Sequence, residues 1–328
     1  MNWHGKRVLV TGAGGFIGSH LTHKLTTLGA ETRAMVHYRG NGSWGWLDEE
    51  EVRNDVEVIP GDVRDRETVK QAMQGIDIVF HLAALIAIPY SYQAPISYLT
   101  TNVEGTANVL QVAREEEVER FIHASTSEVY GTARYVPIDE DHPLQGQTPY
   151  SASKIAADKF VEAYYYSFAV PVTIARPFNV FGPRQSARAI IPAVITQALN
   201  QPEIKLGNLE PTRDFTYVED TVDGYIRVGE TPAAVGQTIN IGAGQEISIG
   251  DLAKLILELL GRTDIPIVLD PDRVRMGNSE VDRLCADNRR AKDILGWEPK
   301  ISLRDGLSQT IDWIKSNLDE FRSAYYAV

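Results

Sequence analysis

Residues 11–21 read TGAGGFIGSHL, a glycine-rich turn set between an apolar run, Arg7–Thr11 (RVLVT), and an amphipathic stretch, Ile17–Leu28. Gly12, Gly15 and Gly18 recur at every third position. That spacing lets the backbone turn tightly after a strand and bring its amides up to a pyrophosphate at a helix N-terminus. Glycine-rich turns also occur between strands and helices that hold no ligand. Here the strand before, the helix after and the place at the head of a βαβ pattern all agree on a dinucleotide site.

Outward from this turn, short β-type runs alternate with helical patterns. The runs are RVLVT, ETRAMV, VEVIPG, IDIVFHLA, RFIHAS and PVTIARP, and amphipathic stretches such as Val103–Glu117 lie between them. Nearly continuous apolar strands separated by helices predict a parallel sheet covered on both faces. After Arg176 the texture changes: PFNVFGPRQSARAIIP and GNLEPTRDFTYVED are rich in Pro, Gly and polar groups. Helices are expected at about 190–200, 251–260, 289–295 and 303–317. The predicted fold is therefore α/β, a Rossmann-type doubly wound parallel sheet with a smaller mixed α/β substrate domain. The first domain takes residues 1–177 plus about 218–240, and the second takes 178–217 and 241–320. Ligands of open parallel sheets bind along the C-terminal edge of the strands, so the cleft between the domains is the expected site.

Composition narrows the function. The chain has 328 residues and a formal net charge of −12, from 44 acidic against 32 basic side chains. No basic stripe is available to neutralise nucleic-acid phosphates, although a small phosphorylated substrate needs only a few placed arginines. A single cysteine, Cys285, excludes an internal disulfide and a thiolate metal cluster; it reads as a half-buried small residue, and no metal is expected. MNWHGKRVLVTG runs into a strand without a signal-peptide core. IDIVFHLAALIAIP is too short for a membrane span and carries Asp77 and His81. A cytoplasmic protein with no membrane or nucleic-acid partner is expected.

The Gly-x-x-Gly-x-x-Gly form resembles that of extended short-chain dehydrogenase/reductases. The resemblance implies an NAD(P) cofactor, tightly bound and recycled, with Phe16 and Ile17 beside the glycines. It also puts Asp62 and Val63 of GDVRD near the adenine, Leu82, Ala83 and Ala84 of HLAA along the cofactor, Asn102 of TNVEGT beneath it and Pro177 beside it. NAD-binding relatives usually carry an acidic residue at the end of strand two to hold the ribose diol. Here His37 and Arg39 stand in MVHYRGN. They could meet a 2′-phosphate, which favours NADP over NAD, or form a solvated polar turn.

PYSASKIAAD places Tyr150 and Lys154 four apart at the start of a helix, on one face. Behind a dinucleotide fold this resembles the catalytic pair of the same superfamily. The implied chemistry is a Tyr150 phenolate, favoured by the Lys154 ammonium, that takes a hydroxyl proton while hydride leaves the same carbon. Thr126 takes the place of the hydroxyl that orients the substrate alcohol. RPFNVFGPRQ, RDFTYVED and ILGWEP resemble pieces of the NAD(P)-dependent sugar-nucleotide epimerases and dehydratases, and the likeness spans nearly the whole chain. It implies that Asn179, Arg213 and Arg275 face the diphosphate of a nucleotide sugar, with Arg184 and Arg188 as further candidates. Residues 205–209 would line the base.

The loop ASTSEVYG, residues 124–131, decides among reactions that share oxidation at C4. A 4-epimerase only has to turn the keto sugar over and give the hydride back, and epimerase relatives usually carry small apolar residues where this chain has Ser127 and Glu128. A 4,6-dehydratase needs a base and an acid near C5 and C6, and relatives use an Asp-Glu pair. Glu128 matches the base, and Ser127 stands where the acid would be. STSEVYG also resembles UDP-glucuronate decarboxylases, whereas YSASK departs from their tyrosine motif. HLAALIAIPYSYQAP, PLQGQTPYSASKIAAD and GPRQSARAIIP look most like N-acetylhexosamine 4,6-dehydratases, in particular the GDP-N-acetylglucosamine 4,6-dehydratases of legionaminic acid biosynthesis. The expected function is thus a lyase acting on GDP- or UDP-N-acetylglucosamine. A decarboxylase, a 4-epimerase and a non-catalytic dinucleotide sensor are the alternatives. Relatives commonly form a homodimer through a four-helix bundle, which here would use Thr100–Glu117 and Ser153–Phe168.

Overall fold

The computed structural model describes residues 1–48, 55–275 and 279–321; residues 276–278, inside the predicted second domain, lie outside them. Seven parallel strands form the main sheet: β1 (Arg7–Thr11), β2 (Glu31–Val36), β3 (Val56–Pro60), β4 (Ile78–His81), β5 (Arg120–Ala124), β6 (Val172–Pro177) and β10 (Thr238–Ile241). Their order is β10-β6-β5-β4-β1-β2-β3. The chain lays β2 and β3 on one side of β1, then crosses to set β4 on the other. The crevice for a ligand therefore opens between the C-terminal ends of β1 and β4.

Alternation along β1 shows why both faces are covered. Val8 and Val10 belong to a core shared with Leu21 and Leu25 of helix Phe16–Thr27. Leu9 points the other way, into a core with Val69, Val109 and Val161 from helices Arg66–Met73, Gly105–Glu115 and Pro149–Phe168. Period-two alternation with apolar residues on both faces requires two helical layers.

The second half adds a three-stranded sheet, in which β9 (Thr212–Tyr217) pairs with β7 (Asn179–Phe181) in parallel and β11 (Glu246–Ser248) in antiparallel. A two-stranded parallel sheet joins β8 (Ile204–Leu206) to β12 (Ile267–Leu269). These three-residue strands escape a pattern reading. Helices Ile190–Asn200, Ile249–Leu260 and Leu303–Ser316 pack around them. The ILGWEP motif is an anchor here: buried Trp297 donates its indole N–H to the Asp220 carbonyl at 2.9 Å, and the Asp220 side chain accepts from Lys300 and Ile301 amides.

One expected helix differs in kind. The stretch read as Val103–Glu117 begins earlier and is divided: Leu99–Glu104 is π-helical, and the α-helix runs from Gly105 to Glu115. A π segment adds a residue per turn and marks functional positions more often than ordinary ones. This one carries Asn102.

Candidate active site

The glycine turn, His37, Asp62, Leu82 and Thr126 follow the C-terminal ends of β1, β2, β3, β4 and β5 in turn, along one edge of the main sheet. At β1, Gly12 has φ +71°, and a Cβ there would come within 2.8 Å of the Ala83 amide. A Cβ on Gly18 would collide with the Gly12 carbonyl oxygen. Helix Phe16–Thr27 starts at Gly15 without a side-chain cap and without an acidic residue in its first turn. The first amides of a helix lack intrahelical partners, so an uncapped, uncharged start suits an anion such as a pyrophosphate. Phe16 and Ile17 are half-buried beside it.

A line of hydrogen bonds fixes the β4 edge. The Ala83 amide donates to Thr11 Oγ1 at 3.1 Å, which lies 2.8 Å from His81 Nδ1. His81 Nε2 lies 3.0 Å from Thr106 Oγ1, which donates to the Asn102 carbonyl at 2.6 Å. Because the single Thr106 proton goes to Asn102, His81 carries its proton on Nε2 and accepts from Thr11 at Nδ1. Burial holds this imidazole neutral, pushing its pKa well down. The Asn102 side chain clamps Leu85 through both its amide and carbonyl, at 2.8 and 3.0 Å, and donates to Ser153 at 2.9 Å. Leu82, Ala83 and Ala84 are thus held in place along the crevice. Val63 is buried against Gly105, where a Cβ would reach it at 2.7 Å. Asp62 is bound by Arg64 and stands 3.8 Å from His37; His37 and Arg39 are exposed.

The helix Pro149–Phe168 opens on a capping box between Thr148 and Ser151, with Pro149 in the first turn. That fixes where Tyr150 and Lys154 sit. Tyr150 is 7% exposed and lies edge-on to Tyr98, whose ring centroid is 6.2 Å away. Burial raises its pKa, Thr126 opposes the rise, and the Glu128 charge adds to it. Lys154 is also buried and donates to the Ala124 carbonyl at 2.7 Å. Burial brings its pKa down to about 8, with Asp158 working the other way.

Thr126 caps the turn Ser127–Tyr130 by accepting from the Glu128 amide at 3.2 Å. Glu128 is 8% exposed, and its Oε2 is buried without a hydrogen-bond partner. From the second half, Arg213 feels the Glu128 charge and contacts Glu280 at 3.4 Å, and Arg275 reaches the same Glu280 oxygen at 3.4 Å. Asn179 presents a buried, unpartnered Oδ1 at the start of β7, two residues after Pro177. Arg184 Nη1 comes within 3.4 Å of Ser19 Oγ, close to the glycine turn. Arg188 is exposed and bonds Ser186; its charge acts on Tyr98.

Sequence reasoning missed the groups beneath this surface. His123, Asp158 and Arg176 are buried next to Lys154, and Glu280 bridges the two arginines. A histidine inside the apolar run RFIHAS, and an aspartate four residues past Lys154, were the available signals. Cys285 is half-buried, and its thiol is pushed up to about 11 by burial, as suits an inert small side chain. Among the described residues there is no group of side chains arranged to hold a metal, and no helix long and apolar enough to cross a membrane.

A glycine cradle, an uncapped helix start and a buried Tyr-Lys pair on one crevice define a dinucleotide-binding protein of the short-chain dehydrogenase/reductase kind. The family model described as GDP-mannose 4,6 dehydratase matches residues 9–310, and the chain belongs to that family of NAD-dependent sugar-nucleotide dehydratases and epimerases. The chain is 33% identical to a UDP-glucose 4-epimerase of Mycolicibacterium smegmatis, across 94% of this chain and 99% of that one. It is 32% identical to a UDP-N-acetyl-alpha-D-glucosaminuronate decarboxylase of Bacillus cytotoxicus, across 94% and 98%. The dTDP-glucose 4,6-dehydratase DesIV of Streptomyces venezuelae, solved with NAD and TYD, superposes with a TM-score of 0.88 at 29% identity, covering 96% and 99%. Its relatives thus perform all three reactions that the Glu128 loop leaves open.

Proposed function

We propose that the protein is a nucleotide-sugar 4,6-dehydratase acting on GDP- or UDP-N-acetylglucosamine to give the 4-keto-6-deoxy sugar. The observation that carries this reading is Glu128: a buried carboxylate with a bare oxygen, beside Tyr150 and facing Arg213. An epimerase has no use for a buried base at that position, because nothing is removed from C5.

Gly12, Gly15 and Gly18 and the Leu82–Ala84 edge would hold the dinucleotide, which would supply a reversible hydride acceptor, taking hydride from C4 and giving it back at C6. Thr126 orients the C4 hydroxyl, and Tyr150 takes its proton. Lys154, carrying much of its charge near neutrality, favours the phenolate that burial and Glu128 oppose. Glu128 then removes the C5 proton, acidified by the neighbouring ketone. The same proton leaves with the C6 hydroxyl as water, delivered by Glu128 directly or through Ser127; when hydride is returned to C6 the resulting enolate takes a proton at C5, and the proton that Tyr150 took from the C4 hydroxyl balances the cycle. Arg213 and Arg275 would exchange Glu280 for the diphosphate, with Asn179 adding a neutral hydrogen bond.

His37 and Arg39 support NADP, while the Asp62 carboxylate beside His37 supports NAD. A homodimer through the stretches Thr100–Glu117 and Ser153–Phe168 is part of the reading, supported by exposed Phe160 and Tyr166 on the second.

The test is incubation of the purified protein, without added cofactor, with GDP- and UDP-N-acetylglucosamine and with UDP-glucuronate. Loss of one water from an acetylhexosamine nucleotide is expected, with product mass as the readout. Carbon dioxide loss from the glucuronate would replace the dehydratase reading with a decarboxylase. Unchanged mass with a changed chromatographic position would replace it with an epimerase. Chromatography of the dinucleotide released on denaturation identifies NAD or NADP.

A further inference from the structure

Behind Lys154 lies a buried ionic cluster that the chemistry at the sugar does not touch. Asp158 is one helical turn beyond Lys154, on the same face. One of its oxygens, Oδ2, takes Ser125 at 2.8 Å and two nitrogens of Arg176 at 3.0 and 3.2 Å. The other, Oδ1, has no hydrogen bond and faces only His123 Nε2, at 3.4 Å. The same Nε2 lies 3.5 Å from Lys154 Nζ, while His123 Nδ1 has no partner. Arg176 continues the line to Tyr130 at 3.0 Å, and Tyr130 to Asn240 at 2.7 Å. His123, Asp158 and Arg176 are all buried.

We propose that His123 and Asp158 are positioning residues for Lys154: the imidazole keeps the ammonium forward on the Ala124 carbonyl, and the carboxylate behind it supplies the compensating charge. This rests on reading Tyr150 and Lys154 as the catalytic pair. A buried ammonium needs compensation, and Asp158 is the buried carboxylate of its own helix. Direct contact between the two would draw Nζ back toward the carboxylate and off Ala124. The imidazole ring fills the gap and prevents that collapse, while Asp158 remains near enough to act through space. The electrostatics agree. Burial would raise Asp158, yet His123, Arg176 and Lys154 together bring it down to about 2. His123 is lowered to about 4, by burial first and by Lys154 next, so it stays neutral between the two charges. The groups facing Lys154 are Tyr150 and Asp158 on its helix, His123 on β5 and His81 on β4, with Arg176 on β6 behind Asp158.

The experiment follows the lysine Cε resonances of selectively labelled protein through a pH titration, with Lys154 assigned by Lys154→Met. In Asp158→Asn the Lys154 midpoint is expected to fall by about one pH unit or more. The alkaline limb of turnover should move with it. His123→Phe keeps the ring and removes its nitrogens; it is expected to lower kcat by about tenfold, through misplacement of Lys154, with KM for the nucleotide sugar little changed. His123→Gln, which puts an amide near the Nε2 position, should recover most of that loss. If Asp158→Asn fails to fold, the His123→Phe and His123→Gln pair decides. Folded variants with an unmoved Lys154 midpoint and unaltered kcat would overturn the proposal. A shifted midpoint in a protein that dehydrates no nucleotide sugar would uphold the positioning role and reject the assigned reaction.

Discussion

Glu128 and Tyr150 sit within one electrostatic neighbourhood, so their substitutions should separate two halves of one reaction. Glu128→Gln keeps the shape of the turn and removes the base. Turnover is expected to fall by about 10²–10⁴-fold, the usual range for losing a general acid–base group. C4 oxidation should survive, seen as a rise in reduced-nicotinamide absorbance on adding substrate. Normal water loss in this variant would remove Glu128 from the mechanism. Tyr150→Phe should abolish that absorbance change as well, because no group is left to take the C4 proton; a surviving change would point to another base. At this scale the surface of the site was legible, since Thr126, Glu128, Tyr150 and Lys154 stand in contiguous motifs. Its underside was not. His123, Asp158 and Arg176 come from two strands and a helix, and only folding brings them together.

The βα turn shows what an element demands of single positions. Gly18 has ordinary backbone angles, and its constraint is space, because the Gly12 carbonyl occupies the volume a side chain would need. Gly18→Ala must therefore push the helix start away from the strand end. A destabilisation of about 1–3 kcal/mol is expected, as for other overpacked sites, together with loss of dinucleotide from the purified protein. Thermal melting and the dinucleotide content on denaturation would check both. Unchanged dinucleotide content would mean that the turn does not bind it. Sequence spacing announced this turn, and it announced the six long apolar strands, because parallel strands buried on both faces leave continuous apolar runs. It did not announce β7, β8, β9, β11 or β12, nor β10 at the edge of the main sheet. Strands of three to six residues in polar, proline-rich sequence take their form from pairing with distant partners, such as Asn179 opposite Phe215. The π segment at Leu99–Glu104 was equally silent, since its hydrophobic spacing mimics that of the α-helix it leads into.

At the scale of the whole molecule, the buried histidines make folding itself sensitive to acid. His81 and His123 are both inaccessible and lie 5.6 Å apart between ring centroids. Burial and Lys154 keep both neutral, and His123 adds to the effect on His81, so that His81 lies well below its ordinary value and His123 is lowered from 6.5 to about 4. The unfolded chain therefore binds more protons than the folded one between about pH 6.5 and 4, so stability rises with pH through that window. Acidification should thus lower the urea midpoint steeply from pH 6.5 downward, well before Asp158, lowered to about 2, begins to titrate. The His81 relay joins β1, β4 and the helix bearing Asn102, so protonating it also breaks the Thr11–His81–Thr106 line that shapes the cofactor edge. Release of dinucleotide should accompany or precede unfolding in the same pH range. Equilibrium urea unfolding at pH 7 and at pH 5, with dinucleotide retention measured in parallel, tests both statements. Equal midpoints at the two pH values would mean that the histidines are reached by solvent or paired in a way that tolerates charge.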